Sequence, residues 1–330
     1  MTPAPFDRIL VGYVPTEQGA DAGALGVDLA TLCGADLLLV SVVRGLWIEH
    51  AGEQIGPPLV HSGGRDRAAA ALKEAAAELA VTSGVGQVER RLEVSSSGAR
   101  GLHDAAVSEQ ADLVVVGSSH HGPVGRVLLG SVGERLLNGA PCAVAIAPRG
   151  HAVREGRDIR LIAVAFDASP EAQLALRAAH DLARRTGAAV HVLMVIEPPA
   201  AIPGQFVPLP GLEPLITIER GEALQRQEQS AQSALDTALA EIAGEATVQR
   251  RVLFGSDPAD AILELVDANV DLLLLGSRAY GPVRRALVGS VSSAVVRHAP
   301  CRVLVMPRLA ETGIDSASHG HASRDRRGHQ

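Results

Sequence analysis

The chain contains the same pattern twice. Asp112–Arg149 reads DLVVVGSSHHGPVGRVLLGSVGERLLNGAPCAVAIAPR, and Asp271–Arg308 reads DLLLLGSRAYGPVRRALVGSVSSAVVRHAPCRVLVMPR. The two align without gaps at an offset of 159, with 18 of 38 positions identical and half of the exchanges apolar for apolar. The starts match as well, at an offset of 153: ILVGYVPTE (Ile9–Glu17) against IAVAFDASP (Ile162–Pro170). Copies of this length are whole domains rather than solenoid units. Each half must therefore be able to build the same fold, and 330 residues suffice for two such domains.

Within each copy, strand and helix patterns alternate. In the first, apolar strands are expected at Arg8–Tyr13, Asp36–Val43, Leu113–Gly117 and Ala143–Ala147. Gln87–Val94 alternates like a half-buried or edge strand. Helices are expected at Glu17–Cys33, ended by Gly34, and at Arg65–Thr82, Ala99–Gln110 and Ser131–Asn138. The second copy repeats the order, with strands near Arg160–Phe166, Ala189–Ile196, Thr247–Leu253, Leu272–Gly276 and Arg302–Met306. Five strands interleaved with helices predict an α/β protein of two tandem doubly wound domains, each around a five-stranded parallel sheet. On such sheets ligands bind beyond the carboxyl ends of the strands, where strand order switches, so the loops after strands one and four matter most. The expected division is 1–150, 151–310 and a tail, 311–330. The boundary lies in the polar stretch Gly150–Arg157, and the Ser-, His-, Arg- and Gly-rich tail is expected to be disordered. Two long connections, Arg44–Gly64 and Glu197–Ile218, interrupt the pattern; six prolines should hold the second extended.

Composition removes several function classes. The net charge is −7, with no run of Lys or Arg, so no nucleic-acid partner is expected. No apolar stretch approaches the roughly 20 residues that span a bilayer, and no leader pattern opens the chain, so a cytoplasmic protein without membrane contact is expected. Cys33, Cys142 and Cys301 lack metal-ligand spacing and read as small buried hydrophobes. Neither GxxxxGK[ST], GxGxxG after a first strand, nor GxSxG is present. His61–Asp66 (HSGGRD) reads as a turn and helix cap. No nucleophile–base–acid set emerges, so no catalytic residue and no protein-built metal site are assigned.

The loop after strand four carries the chemistry. It runs from Gly276-Ser277 to Gly289-Ser290 in the second copy, and from Gly117-Ser118 to Gly130-Ser131 in the first. A glycine at the strand end lets the backbone turn and approach a ligand. Gly-Ser at a helix start offers backbone N–H groups, a hydroxyl and the positive end of the helix dipole, which suits an anion. The competing reading is structural: the glycine turns the chain and the serine caps the helix.

The run Gly276–Pro307, with its GS…G…GS…APC…V pattern, resembles the C-terminal signature of the universal stress protein family, and the resemblance extends over both copies. It implies an adenine nucleotide α-hydrolase-like fold and an adenine nucleotide as ligand, ATP with Mg²⁺ or Mn²⁺. Carried onto the second copy, it implies that Asp167 contacts the adenosine and that Ala165, Phe166 and Val195 wall the adenine. Gly276, Ala279, Gly289, Ser290 and Val291 would cradle the phosphates, with Arg284 and Arg285 as further candidates for pairing. Ala279 departs from the family's second loop glycine, and Gly281 follows it. The first copy departs further: Val14 stands in place of the aspartate, and a valine accepts no hydrogen bond from a ribose. His120 replaces the second loop glycine and His121 follows, while Gly117, Gly130, Ser131 and Val132 remain. ATP is therefore expected mainly in the second domain, as a regulatory ligand of a stress or signalling protein with at most slow hydrolysis. A nucleotide-free dimerising interaction module and a slow ATPase are the alternatives. The resemblance also implies pairing of the last strands, Ala143–Ala147 with Arg302–Met306, as an intramolecular pseudo-dimer. Protein partners, not identified by the sequence, and a homodimer of whole chains are compatible with it.

Overall fold

The computed structural model describes residues 4–45, 49–50, 53–54, 62–83, 88–119, 124–198, 213–242, 246–266, 269–277 and 289–307. In the first half, β1 (Arg8–Gly12), α1 (Glu17–Cys33) and β2 (Asp36–Arg44) lead to a two-stranded antiparallel pair, β3 (Glu49–His50) and β4 (Glu53–Gln54). Then come α2 (Ser62–Ser83), β5 (Val88–Ser95), α3 (Gly98–Ser108), β6 (Leu113–Gly117), α4 (Ser131–Leu137) and β7 (Ala143–Ala147). The second half runs β8 (Leu161–Ala165), α5 (Pro170–Thr186), β9 (Ala189–Ile196), α6 (Glu213–Ala240), β10 (Val248–Phe254), α7 (Pro258–Leu265), β11 (Leu272–Gly276), α8 (Ser290–His298) and β12 (Arg302–Met306). The main sheet has ten strands in the order β10-β9-β8-β11-β12-β7-β6-β1-β2-β5. All neighbours are parallel except β7 and β12, which are antiparallel. Strand order reverses between β1 and β6, and again between β8 and β11.

Residue pattern explains the layering. The central strands β6 (LVVVG) and β11 (LLLLG) are almost wholly buried, because helices cover both faces of a doubly wound sheet. Side chains alternate across the pleat. Ile9 and Val11 join one core with Leu25 of α1 and Leu176 of α5. Leu10 joins the other, with Leu102 of α3 and Val296 of α8. Both cores draw residues from both halves. The outer strands β5 and β10 carry Glu89, Arg90 and Arg91, and Gln249, Arg250 and Arg251, so the two free edges are charged and discourage further pairing. Cap chemistry sets several helix ends. Gly34 (φ 69°) and Gly187 (φ 74°) adopt the left-handed conformation that terminates α1 and α5. Ser169 Oγ accepts the N–H of Ala172 at the start of α5. Asp112 and Asp271, equivalent in the repeat, each accept two backbone N–H groups at the start of their half's first strand.

The halves are joined through β7 and β12, with Val303 opposite Ile146, Leu304 opposite Ala145 and Val305 opposite Val144. The polar stretch expected at the boundary is docked. Asp21 of α1 accepts the N–H groups of Gly150 and Ala152, both at 2.8 Å. His151, 1% exposed, sits with Nε2 3.0 Å from Asp28 Oδ2. Arg302, fully buried at the start of β12, donates to the carbonyls of Arg157, Asp158 and Asp271. The second long connection is also shorter than expected. α6 begins at Glu213, and Pro214 falls in its first turn, where a missing N–H costs nothing. The tail 311–330 lies outside the described residues. Among the described residues, no helix is long and apolar enough to cross a membrane.

Val303→Thr keeps the side-chain shape at the β7–β12 seam but buries a hydroxyl. It should lower monomer stability by about 1–3 kcal/mol, read as a shift in the urea midpoint. An unchanged midpoint with altered self-association would mean that the seam forms between chains. Burial pushes the thiols of Cys142 and Cys301 up to about 12 and that of Cys33 to about 11. At pH 8 all three should react slowly with a disulfide reagent until denaturant is added. Because the folded state keeps these protons longer than the unfolded one, stability should fall as pH rises above about 9.

Candidate functional site

Where the segments that follow the paired strands β8 and β11 part, the carboxyl ends of the strands open a cleft of about 280 Å³, near the lower end of the roughly 300–1,000 Å³ usual for ligand pockets. Eight of the nine second-copy positions singled out in the sequence line it: Ala165, Phe166, Asp167, Val195, Gly276, Gly289, Ser290 and Val291. The ninth, Ala279, lies outside the described residues, as do Gly281, Arg284 and Arg285. One wall is apolar, built by Phe166, Leu193, Val195, Ile262 and Leu275. Phe166 is held by its N–H, which donates to Leu193 O at 2.8 Å. Asp167 stands exposed at the rim, and its Oδ1 accepts the N–H of Ser169 at 2.9 Å. Ala168 between them has φ 62°, a left-handed conformation that L-residues avoid. That turn sets Asp167 at the rim while Ser169 caps α5.

The opposite wall is the start of α8. Gly289 is its N-cap and carries no side-chain acceptor; Ser290 is the exposed first helical residue and does not cap the helix. The N–H groups of Ser290, Val291 and Ser292 open α8 and have no intrahelical acceptor. Backbone donors and the positive end of the dipole therefore face the cleft. Ser292, which the sequence reading missed, is buried and donates its hydroxyl to Gly276 O at 3.0 Å, tying helix to strand end. Its two-residue distance from Gly-Ser was the available signal. Leu193, Pro258 and Ile262 were also missed, because nothing local marks a residue of β9 or α7 as facing β11.

The reason for Gly276 differs from the one expected. A Cβ there would stand 2.7 Å from Ala172 N and from Glu171 Cβ, so the glycine admits the first turn of α5 rather than a ligand. Gly117 does the same for α1, with a Cβ only 2.0 Å from Gln18 O. In the first half, Gln18 Nε2 donates to Gly117 O at 2.8 Å, taking the part that Ser292 plays in the second. Gly133, the repeat equivalent of Ser292, has no hydroxyl. Val14 is 41% exposed, and its carbonyl accepts the N–H of Thr16. Gly130 caps α4 without a side chain, and Ser131 and Val132 open that helix. His120 and His121 lie outside the described residues.

The geometry offers anion donors and an apolar slot but no metal cage. Among the described residues, no group of three or more His, Cys, Asp or Glu is placed to hold a metal ion. A larger concavity, about 1,120 Å³, runs along α1 between α2, the docked linker and the end of α5. It holds none of the candidate residues.

The family model for the universal stress protein family matches residues 5–148 and 159–307. A universal stress protein of Mycobacterium tuberculosis strain H37Rv is 28% identical over 301 residues, covering 91% of this chain and 99% of its own. Another from that strain is 33% identical over 205 residues, covering 60% of this chain and 63% of its own. Among solved structures, a universal stress protein from Archaeoglobus fulgidus matches with a TM-score of 0.60 at 18% identity, covering 91% of this chain and 98% of its own. That likeness concerns the fold.

Ala168→Gly should raise stability by about 0.5–1 kcal/mol, because the relief of left-handed strain exceeds the added unfolded-state entropy. Thermal unfolding measures it. A loss of stability would show that the Ala168 methyl makes contacts worth more than the strain.

Proposed function

The chain belongs to the universal stress protein family, and on that premise we propose that it binds an adenine nucleotide, ATP above all, in its second half as a regulatory ligand. One observation carries this reading: residues from four separate stretches, 165–167, 195, 276 and 289–291, converge on one cleft at the switch point. Their chemistry is complementary to the parts of a nucleotide. Phe166, Ala165 and Val195 offer an apolar slot for the base. Asp167 at the rim can accept from ribose hydroxyls. The N–H groups of Ser290 and Val291, behind Gly289, suit phosphate oxygens, and in the sequence Gly276 and Ala279 belong to the same loop. Mg²⁺ or Mn²⁺ would arrive on the phosphates, since such ions usually keep several waters and need few protein carboxylates. The first-half positions Gly117, His120, Gly130, Ser131 and Val132 form the weaker counterpart, because Val14 supplies no acceptor for a ribose.

Among the described residues, no side-chain set near the cleft is arranged as nucleophile and base, and in this reading ATP is a ligand that shifts conformation or partner affinity. The working unit is one cytoplasmic chain divided into 1–150 and 151–310, paired as an intramolecular pseudo-dimer. Its output is contact with a protein partner or with a second copy.

Calorimetric titration of MgATP into nucleotide-stripped protein should give one site per chain. Asp167→Ala should weaken it about threefold to tenfold, the loss of one or two modest hydrogen bonds. Two sites of similar affinity would contradict the reading of Val14. No heat at several temperatures, with no nucleotide released on denaturation, would favour the nucleotide-free interaction module.

A further inference from the structure

Helix α8 touches both halves. Its first residues, Ser290 and Val291, line the second-half cleft, and Ser292 is tied to Gly276. At its other end, the carbonyl of Ala299 accepts the N–H of Val127 at 2.9 Å. Arg297 in its last turn pairs with Glu134 of α4 at 3.0 Å. Val127 is 2% exposed and belongs to the first half's strand-four loop, the counterpart of the candidate phosphate loop. The next residue anchors that loop. Leu128 donates its N–H to Ser118 Oγ at 2.6 Å, and its carbonyl accepts the N–H of Ser119 at 2.7 Å. A nine-residue helix, about 13 Å long at 1.5 Å per residue, thus joins the strand-four loops of the two halves.

The weak point of this link is its cleft end. α8 has a glycine N-cap and no side-chain cap, and a helix of this length is marginal unless held by its surroundings. An anion at the first turn satisfies the open N–H groups and the dipole, and so suppresses fraying. Openings that break the Val127–Ala299 bond then become rarer. We propose that α8 is a coupling element, through which a nucleotide at the second-half cleft tightens the strand-four loop of the first half. The proposal rests on the nucleotide reading above and adds a readout to it. The half that lacks the aspartate is the half that responds.

Hydrogen exchange on the full, nucleotide-stripped chain tests this. Saturating MgATP should slow exchange at Val127 and Leu128 about fivefold, the effect of one favourable helix-end charge. Slowing at Ser293 without change at Val127 and Leu128, in protein that shows binding heat, overturns the coupling and leaves the nucleotide reading intact. A ligand-free arm uses Val127→Pro, which removes the donor to Ala299, and the milder Glu134→Arg, which sets like charge against Arg297. Each should speed exchange at Ser293–Val296 about twofold or more. If neither does, α8 does not join the loops, whatever binds. If ATP gives no heat, the response to nucleotide falls together with the nucleotide reading, and the variants alone decide whether the mechanical link exists.

Discussion

The antiparallel seam between β7 and β12 is the interaction on which the rest depends. Each half alone would end its sheet on a buried, apolar strand, AVAIA or RVLVM, with an open row of N–H and C=O groups. Pairing the two satisfies both rows and leaves only the charged strands β5 and β10 at the edges. The same pairing makes each core continuous across the halves. It also decides what the linker must do. The linker docks on α1 through Asp21 and Asp28, and Arg302 on β12 holds its far end.

A shared sheet does not make the halves equivalent. Both place a glycine at the end of strand four to admit the helix after strand one, and both start the next helix on Gly-Ser. They differ in what surrounds those points. The second half presents Asp167 on a strained turn and keeps an apolar slot beneath it. The first presents Val14 and uses Gln18 to satisfy the carbonyl of Gly117. The backbone framework is repeated, while the groups that would meet a ligand have diverged. Such divergence suits a protein in which one half binds and the other is bound to it mechanically.

Much of the fold was legible in the residues. Leu113–Gly117, Ala143–Ala147, Ala189–Ile196, Leu272–Gly276, Arg302–Met306 and Glu17–Cys33 have the boundaries expected, because short, mostly apolar runs bounded by Asp, Gly, Glu or Pro, and a helix stopped by Gly34, leave little choice. The start of α6 was not, because prolines signal an extended chain unless they fall in the first helical turn, as Pro214 does. The linker Gly150–Arg157 was legible only as a polar stretch between the copies, since burial of His151 depends on Asp28, 123 residues away in sequence. In the cleft, Asp167, Gly276 and Gly289 were visible as loop residues at a switch point. Leu193, Ile262 and Ser292 were not, because their orientation depends on β9, α7 and α8 packing against β11.

The sequence by itself determined the duplication, the α/β alternation, the five main-sheet strands of each half and the loops that follow strands one and four. These follow from local periodicity and from comparing the chain with itself. Only the tertiary structure decided that Gly276 makes room for α5 and that Ser292 holds the strand end. It likewise decided that the end of α8 reaches Val127 in the other half. Those relations join residues far apart along the chain, and a distance across a packed interface leaves no periodic trace in the sequence.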